Sequence, residues 1–329
     1  MAIQIGSLVI ESPVFLAPMS GVTDAPFRRL AKRHGAGLVF SEMIASREMV
    51  EASRRTLRMA RRTRDDGPFA VQLAGRDPEI MAEAAKLNED GGADIIDINM
   101  GCPARKVVGS LCGSALMRDL GLARRIIERT VNAVSIPVTL KMRTGWDAAN
   151  RNAPELARIA EDCGVRMITV HGRTRCDFYE GRADWRFIRR VKEAVQVPVI
   201  ANGDITTEDD AARCLSQSGA DGLMIGRGAR GRPWFLGQVA AFLRTGTYAR
   251  PPSAETRSAV VQEHYQGLLD HHGARTGMRI ARKHLAWYAQ GLGGAKAFVD
   301  TINRCDDSGR VRDLIAEFFG AAREIKDAA

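Results

Sequence analysis

Residues 93–103, Ala-Asp-Ile-Ile-Asp-Ile-Asn-Met-Gly-Cys-Pro, decide the fold. The run from Ala93 to Ile98 is apolar and rich in β-branched residues, which is typical of a buried strand, and it stops at Asn99 and a Gly-Cys-Pro turn. This order places the Cys102 thiol on a tight turn at the carboxyl end of a strand. Many α/β folds keep their chemistry at that position.

Seven further runs of the same kind flank this one. The eight runs span residues 14–17, 38–43, 69–73, 94–99, 138–142, 167–170, 199–201 and 222–225. Segments of helical period separate them, such as Pro78 to Glu89, where Asp77 can cap the helix. Odd-numbered runs follow a proline, and even-numbered runs follow Gly-Ala or Gly-Val, which indicates helix ends. Eight alternating units predict a (β/α)₈ TIM barrel over residues 1–243 in preference to a doubly wound open sheet.

The carboxyl-terminal part of the chain has a different pattern. We expect the helical pattern to lapse after Gly228, and the Gly- and Pro-containing residues 244–253 predict a linker. Amphipathic helices are expected at 254–269, 278–290, 294–303 and 311–326. They predict a small helical bundle as a second domain over residues 254–329.

Composition limits the functional classes. No apolar run approaches the roughly 20 residues of a membrane span and no signal-type segment opens the chain, so we expect a cytoplasmic protein with no membrane partner. The six cysteines lack Cys-x-x-Cys or His spacing, which predicts neither a metal site nor a disulfide framework. A net charge of +9 favours a polyanionic partner such as nucleic acid. We expect a monomer.

The residues that follow the strands should meet at one mouth of the barrel. Glycine turns at Asn202-Gly203-Asp204 and Gly226-Arg227 expose backbone N–H groups, which together predict a phosphate site, although each glycine alone could serve only a turn. Lys141 is either a solvated lysine or a charge aimed at a ring system. His171 is either a core histidine or part of the site.

Cys102 suits a proton donor better than a nucleophile, because a thiol with an ordinary pKa is mostly protonated at neutral pH. The distance in sequence to the fifth strand is long, so we expect residues 109–117 to form a mobile loop over the substrate, with Cys102 at its hinge.

A set of motifs stands at the strand ends: Ala17-Pro18-Met19, Val71-Gln72-Leu73, Asn99 to Pro103 with Lys106-Val107, Leu140 to Arg143, Val170 to Arg173, Asn202 to Asp204 and Gly226-Arg227. With these motifs the chain resembles the tRNA-dihydrouridine synthases. In the tail, Arg282-Lys283-His284 followed by Trp287-Tyr288 resembles the bacterial B type most.

The resemblance implies an enzyme that reduces specific uridines of tRNA to dihydrouridine, with FMN at the barrel mouth and NADPH as reductant. Hydride would pass from reduced flavin to C6 of the uracil while Cys102 gives a proton to C5. Asn99 and Arg143 would hold the uracil. FMN would be held by Pro18, Met19, Ser20, Gln72, Lys141, Asn202, Gly203, Asp204, Gly226 and Arg227, with His171 adjacent.

Two basic segments could bind tRNA. Residues 271–299 contain five Lys or Arg residues and no acid, and Arg279 and Lys283 are the expected contacts. Residues 54–64 contain six Arg, and on a helix Arg54, Arg58, Arg61 and Arg62 would share a face. Both segments could also be ordinary solvated surface.

Two other functions remain open from the sequence. The chain could be a small-molecule FMN oxidoreductase of the dihydroorotate dehydrogenase type, which would share the phosphate turns and Lys141. It could also be a non-catalytic RNA-binding barrel.

Overall fold

The computed structural model describes residues 2–63 and 67–321. Its strands are β1 (Ile3–Ile5), β2 (Leu8–Ile10), β3 (Val14–Leu16), β4 (Val39–Phe40), β5 (Ile44–Ala45), β6 (Phe69–Ala74), β7 (Ile95–Met100), β8 (Val138–Arg143), β9 (Ile168–His171), β10 (Val199–Asn202) and β11 (Gly222–Ile225). Its barrel helices are α1 (Ala25–Arg33), α2 (Ser46–Val50), α3 (Arg54–Ala60), α4 (Pro78–Asp90), α5 (Arg105–Gly109), α6 (Leu120–Ala133), α7 (Ala153–Asp162), α8 (Trp185–Lys192), α9 (Glu208–Ser218) and α10 (Phe235–Thr245). The tail helices are α11 (Ala254–His272), α12 (Ala274–Ala289), α13 (Ala295–Arg304) and α14 (Ser308–Ala321).

Eight parallel strands form a barrel, as the sequence predicts. The order of hydrogen-bonded strands is β3, β11, β10, β9, β8, β7, β6, β4. Between the first and last of these, Gly37 N donates to Val14 O at 2.8 Å and Leu16 N donates to Leu38 O at 3.0 Å. These bonds bring the two ends of the sheet together, so every predicted run contributes a strand to one ring.

The residues at the strand junctions behave as the sequence indicates. The four glycines at the ends of helices, Gly35, Gly92, Gly164 and Gly219, all have positive φ, between 64° and 102°. Positive φ is higher in free energy for a residue with a Cβ than for glycine. Glycine therefore lets the chain turn directly from helix to strand. Asp77 caps α4 by accepting from Glu79 N and Ile80 N, with Pro78 in the first turn.

The amino-terminal end of the barrel is covered by a hairpin that the sequence does not predict. Strands β1 and β2 pair antiparallel, and their residues Ile3, Ile5 and Ile10 are buried. The hairpin lies directly against the barrel, since a Cβ on Gly222 would stand 2.6 Å from Ile3 Cδ1. Three-residue strands with alternating exposure give too short a pattern to detect.

The expected lapse of helical pattern after Gly228 is wrong, because α10 occupies residues 235–245 and closes the eighth β/α unit. Its sequence is mostly apolar, and Phe235, Leu236 and Val239 are buried in the barrel core, which obscures an amphipathic period. The tail then forms four helices with a core of their own, and α11 packs against α1. Residues 322–326, which we expect to extend α14, lie outside the described residues.

The expected arginine face on residues 54–64 is also wrong. Helix α3 ends at Ala60, and Arg61 has an extended backbone with ψ of 121°. Arg62 turns away to pair with Asp94, with 3.1 Å between Nη1 and Oδ1. Arg64 lies outside the described residues. Within the described parts of the chain, no helix is long and apolar enough to cross a membrane.

Candidate active site

The inner face of the barrel changes from apolar to polar towards the carboxyl ends of the strands. Side chains alternate along a strand, so Asp97 and Asn99 of β7 and Thr139 and Lys141 of β8 face the same way. The register places Asp97 beside Thr139 and Asn99 beside Lys141. Deeper in the barrel, the core is apolar and includes Phe15, Phe40, Ala70, Ile95, Met167, Ile200 and Met224. The polar layers therefore lie above an apolar floor.

Lys141 places an amine at the mouth. Its Nζ donates to Asn202 Oδ1 at 3.1 Å, and the Asn202 amide is oriented by donating to Met224 O at 2.7 Å. Burial lowers the pKa of Lys141 to about 8, with a smaller push in the same direction from Arg143, while Asp97 and Cys102 oppose it. An ammonium has three N–H donors, so two remain to face a ligand beside the one given to Asn202.

The turn that carries Cys102 is held by side chains on both sides. Asn99 Oδ1 accepts from Gly101 N at 3.0 Å and from Cys102 N at 2.9 Å. Ser114 donates to Cys102 O through its N and its Oγ, at 3.1 and 2.9 Å. Cys102 is half-buried, and its thiol is close enough to Lys141 and Arg143 to raise the pKa of each.

Residues 109–117 are not the continuous loop that we expect from the sequence. Residues 105–109 are helix α5, and a 3₁₀ helix spans Gly113–Arg118, with residues 113–117 buried. Because Ser114 is bonded to the carbonyl of Cys102, this segment supports the turn from below.

The two glycine turns lie next to each other at the ends of β10 and β11. Gly203 has φ of 120°, and a Cβ there would stand 2.7 Å from His171 Cδ2. At Gly226 the nearest atoms to a Cβ would be Ala17 Cβ at 3.5 Å and Met19 Sδ at 3.7 Å. The turns thus bring the strand-end residues of β3, β9, β10 and β11 together, and a side chain at Gly226 would fill the space between them.

An ion-pair network fixes Asp204 in the turn after β10. Asp204 accepts from Arg173 at 2.8 and 2.7 Å and from Arg227 Nη2 at 3.2 Å. Arg173 is buried and also donates to the carbonyls of Glu180 and Gly181. Asp204 thereby holds Arg227 at the mouth. Arg173, which the sequence places at a strand end without a role, supports Asp204.

Arg143 and His171 lie at the same mouth as neighbours across β8 and β9. Arg143 is buried, with Nε donating to Gly101 O at 2.9 Å and Nη1 donating to Thr174 O at 2.6 Å. Burial lowers its pKa to about 10. Burial also lowers the pKa of His171 well below its usual value, reinforced by the charges of Arg143 and Lys141, so the imidazole is neutral at physiological pH.

Tyr179 is an exposed aromatic residue that we do not predict as part of the site. Its ring centroid lies 5.4 Å from Arg143 Cζ, 5.2 Å from Arg227 Cζ and 6.5 Å from the His171 ring centroid. A 55% exposed tyrosine between two guanidinium groups is a flat surface over the mouth. The signal in the sequence is weak, since it is one aromatic residue in a loop of no regular period.

The loop after β3 joins the mouth to the tail. Pro18 and Met19 are half-buried and Ser20 is exposed, and Met19 is fixed by bonds with Thr23. Lys283 Nζ of α12 donates to Gly21 O of this loop. Arg279, one turn earlier on α12, is exposed.

The comparison with protein families agrees with this geometry. The family model described as dihydrouridine synthase matches residues 15–323. A probable tRNA-dihydrouridine synthase of Rickettsia bellii is 55% identical over 318 residues, covering 96% of this chain and 98% of the relative. The chain belongs to the dihydrouridine synthase family. A relative named tRNA-dihydrouridine synthase B, from Xanthomonas axonopodis, is 48% identical over 318 residues, covering 97% of this chain and 96% of the relative.

Several solved structures share the barrel fold of this member of the dihydrouridine synthase family. Morphinone reductase aligns with a TM-score of 0.53 and 14% identity, covering 78% of this chain and 91% of that one. A 2-naphthoyl-CoA reductase aligns with a TM-score of 0.58 and 11% identity, covering 74% of this chain and 52% of that one. The TIM-barrel fold is therefore confirmed independently of the sequence resemblance.

Proposed function

We propose that the protein reduces the C5=C6 bond of uridine in tRNA, with FMN at the barrel mouth and NADPH as reductant. The observation that carries this proposal is the register of β7 and β8. It sets the Cys102 turn, through Asn99, beside the amine of Lys141 in a barrel of the dihydrouridine synthase family. An acid and a cation thus lie at the ends of neighbouring strands at one barrel mouth.

The residues at the mouth fit FMN. A flavin carries a flat ring and a phosphate, and here the adjacent glycine turns at Gly203 and Gly226 offer backbone N–H groups, with Arg227 adding charge. Lys141 supplies a partly desolvated cation. The chain residues that would hold the group are Pro18, Met19, Ser20, Gln72, Lys141, Asn202, Gly203, Asp204, Gly226 and Arg227, with His171 adjacent.

The chemistry that FMN would supply here is hydride transfer to C6 of the uracil. The protonated Lys141 would stabilise negative charge on the ring system, which is electrostatic preorganisation in a site of low dielectric. Cys102 would hold the proton for C5, and the bonds from Ser114 and Asn99 keep its turn in place. Asn99 and Arg143 would border the uracil. Both already hydrogen-bond to the Cys102 turn, so each would contact the uracil through its remaining N–H groups.

A uridine in folded tRNA must leave its stack to enter this mouth, at a cost of a few kcal/mol. Contacts between cationic side chains and phosphates can offset that cost. Exposed Arg279 faces solvent and is suited to such a contact, whereas Lys283 already donates to Gly21 O and would combine both roles. A small-molecule substrate of the dihydroorotate type needs neither the basic tail nor base flipping.

The purified protein is expected to be yellow with FMN bound. In anaerobic stopped flow, NADPH should bleach the flavin absorbance, and unmodified tRNA should restore it rapidly while free uridine should not. Mass spectrometry of the tRNA should then show a gain of two hydrogens per modified uridine. A colourless protein without FMN affinity would refute the proposal, and equal rates with free uridine would favour the small-molecule alternative.

Charge reversal at the tail is expected to weaken tRNA binding. Arg279→Glu should lower the affinity for tRNA and reduce the slope of log K against log[salt] by about 1 or more, because a phosphate contact is replaced by repulsion. The control is Arg125→Glu, an exposed arginine on barrel helix α6. Filter binding over a salt series measures both; identical slopes for the two variants would remove Arg279 from the interface.

A further inference from the structure

A continuous chain of side-chain hydrogen bonds runs through the barrel from Asp97 to the Cys102 turn. Gln72 Nε2 donates to Asp97 Oδ2 at 2.6 Å, and Asn99 Nδ2 donates to Gln72 Oε1 at 2.7 Å. Asn99 Oδ1 then accepts from the backbone N of Gly101 and Cys102. Asp97, Gln72 and Asn99 are all buried, with exposures of 0%, 1% and 7%.

The direction of this chain is fixed at both ends. Backbone N–H groups only donate, so the oxygen of the Asn99 amide must face the turn and its NH₂ group must face Gln72. Gln72 must then present its oxygen to Asn99 and its NH₂ group to residue 97. A group that accepts is required there, and an ionised carboxylate accepts through both oxygens.

Asp97 lies below the mouth, between an apolar floor and Lys141, and its second oxygen accepts from Thr139 Oγ1 at 2.7 Å. Its charge also raises the pKa of Lys141. A buried carboxylate costs free energy even when it is well bonded, so an apolar residue would serve a purely structural role better. The Gln72 amide above it needs an acceptor at this position.

We propose that Asp97 is a positioning residue that holds the Gln72 and Asn99 amides in the single orientation in which Asn99 can fix the Cys102 turn. This inference rests on the proposed function, because it assigns the turn a catalytic thiol. Asp97 acts through Gln72 and Asn99. One carboxylate thereby orients an amide expected to face the flavin and an amide expected to face the uracil.

Two substitutions at Asp97 separate orientation from charge. In Asp97→Asn, the new Oδ1 can still accept from Gln72 while the new Nδ2 donates to the Thr139 hydroxyl, so the chain keeps its direction. In Asp97→Leu, the Gln72 NH₂ group loses its acceptor. Both variants lose the same negative charge, so a difference between them reports the hydrogen bonds at residue 97, to Gln72 and to Thr139.

We expect Asp97→Leu to reduce kcat for dihydrouridine formation about a hundredfold, the penalty of a misplaced reacting group, with the KM for tRNA unchanged. Asp97→Asn should recover most of that loss, and the remainder reports the carboxylate charge that raises the pKa of Lys141. Thr139→Val is the matched control: it removes the other bond to the same carboxylate but no member of the amide chain, so kcat should remain near that of the wild type even if the melting temperature falls.

A second measurement needs no turnover. Alkylation of Cys102 by iodoacetamide, followed by peptide mass spectrometry, should be faster in Asp97→Leu than in the wild type, because the turn has lost its anchor, and unchanged in Asp97→Asn. Equal kcat and alkylation rates for Asp97→Leu and wild type, or equal defects in the Leu and Asn variants, would overturn the inference. Failure of the proposed function is seen separately, as a wild-type protein that does not reduce tRNA.

Discussion

Replacing Cys102 by alanine is expected to abolish dihydrouridine formation while leaving FMN and tRNA bound. General acid catalysis contributes about 10²- to 10⁴-fold to a rate, and alanine leaves no proton to give to C5. The turn itself should survive, because its supports are backbone bonds to Asn99 and Ser114 that do not use the thiol. Single-turnover assays with prereduced enzyme measure the loss directly.

The matched control for this experiment is Cys112→Ala. Cys112 lies ten residues further along, is also half-buried, and its thiol donates to Ser110 O, away from the turn. Burial raises the pKa of the Cys112 thiol, so this thiol is protonated at neutral pH. We expect near wild-type turnover for Cys112→Ala. If Cys102→Ala retains full turnover, the proton-donor role must be given up.

Loss of the Lys141 charge is the second large effect that we expect. Burial places the pKa of Lys141 at about 8, so the amine is charged below that pH and neutral above it. A cation that stabilises developing negative charge acts only in its protonated form, and its contribution is therefore present below pH 8 and lost as the pH rises. The wild-type rate of flavin oxidation by tRNA should therefore fall as the pH rises through about 8, which gives the pH profile an alkaline limb.

Lys141→Met should lower the rate at neutral pH by about 10²- to 10³-fold, as for other preorganised electrostatic donors, and should remove the alkaline limb. Lys86→Met is the control, since Lys86 is exposed on the outer helix α4. The pH profile must be recorded over pH 6 to 10 with tRNA binding checked at each end. A variant that keeps the wild-type profile would show that another group causes the limb.

Local signals made the barrel predictable. Prolines precede the odd-numbered strands of the barrel, and glycines end the helices before the even-numbered ones. Both preferences come from backbone geometry that does not depend on distant contacts. The residues of the mouth could then be predicted, because the carboxyl ends of all strands in a parallel barrel lie at the same end. Gln72, Asn99 and Lys141 lie where this argument puts them.

The missed features depend on contacts between residues distant in sequence. The link from Lys283 to Gly21 joins positions 262 residues apart, and no periodic pattern encodes it. Arg61 and Arg62 fail as helix residues because Arg62 finds Asp94 and Arg61 O accepts from Arg28, tertiary contacts that override local propensity. Asp97 is visible in the sequence within the run 93–98, but its partners Gln72 and Thr139 are not.

The peptide group of Gly21 is shared by both halves of the molecule. Its N–H donates to Glu42 of the barrel, and its carbonyl accepts from Lys283 of the tail. Asp24, three residues on, has a carboxylate oxygen 2.8 Å from His272 Nε2. Tail and barrel are therefore not interchangeable parts. A chimaera that grafts the tail of another synthase onto this barrel must carry matching partners for Gly21 and Asp24. Without them it would alter the loop after β3 as well as the tail.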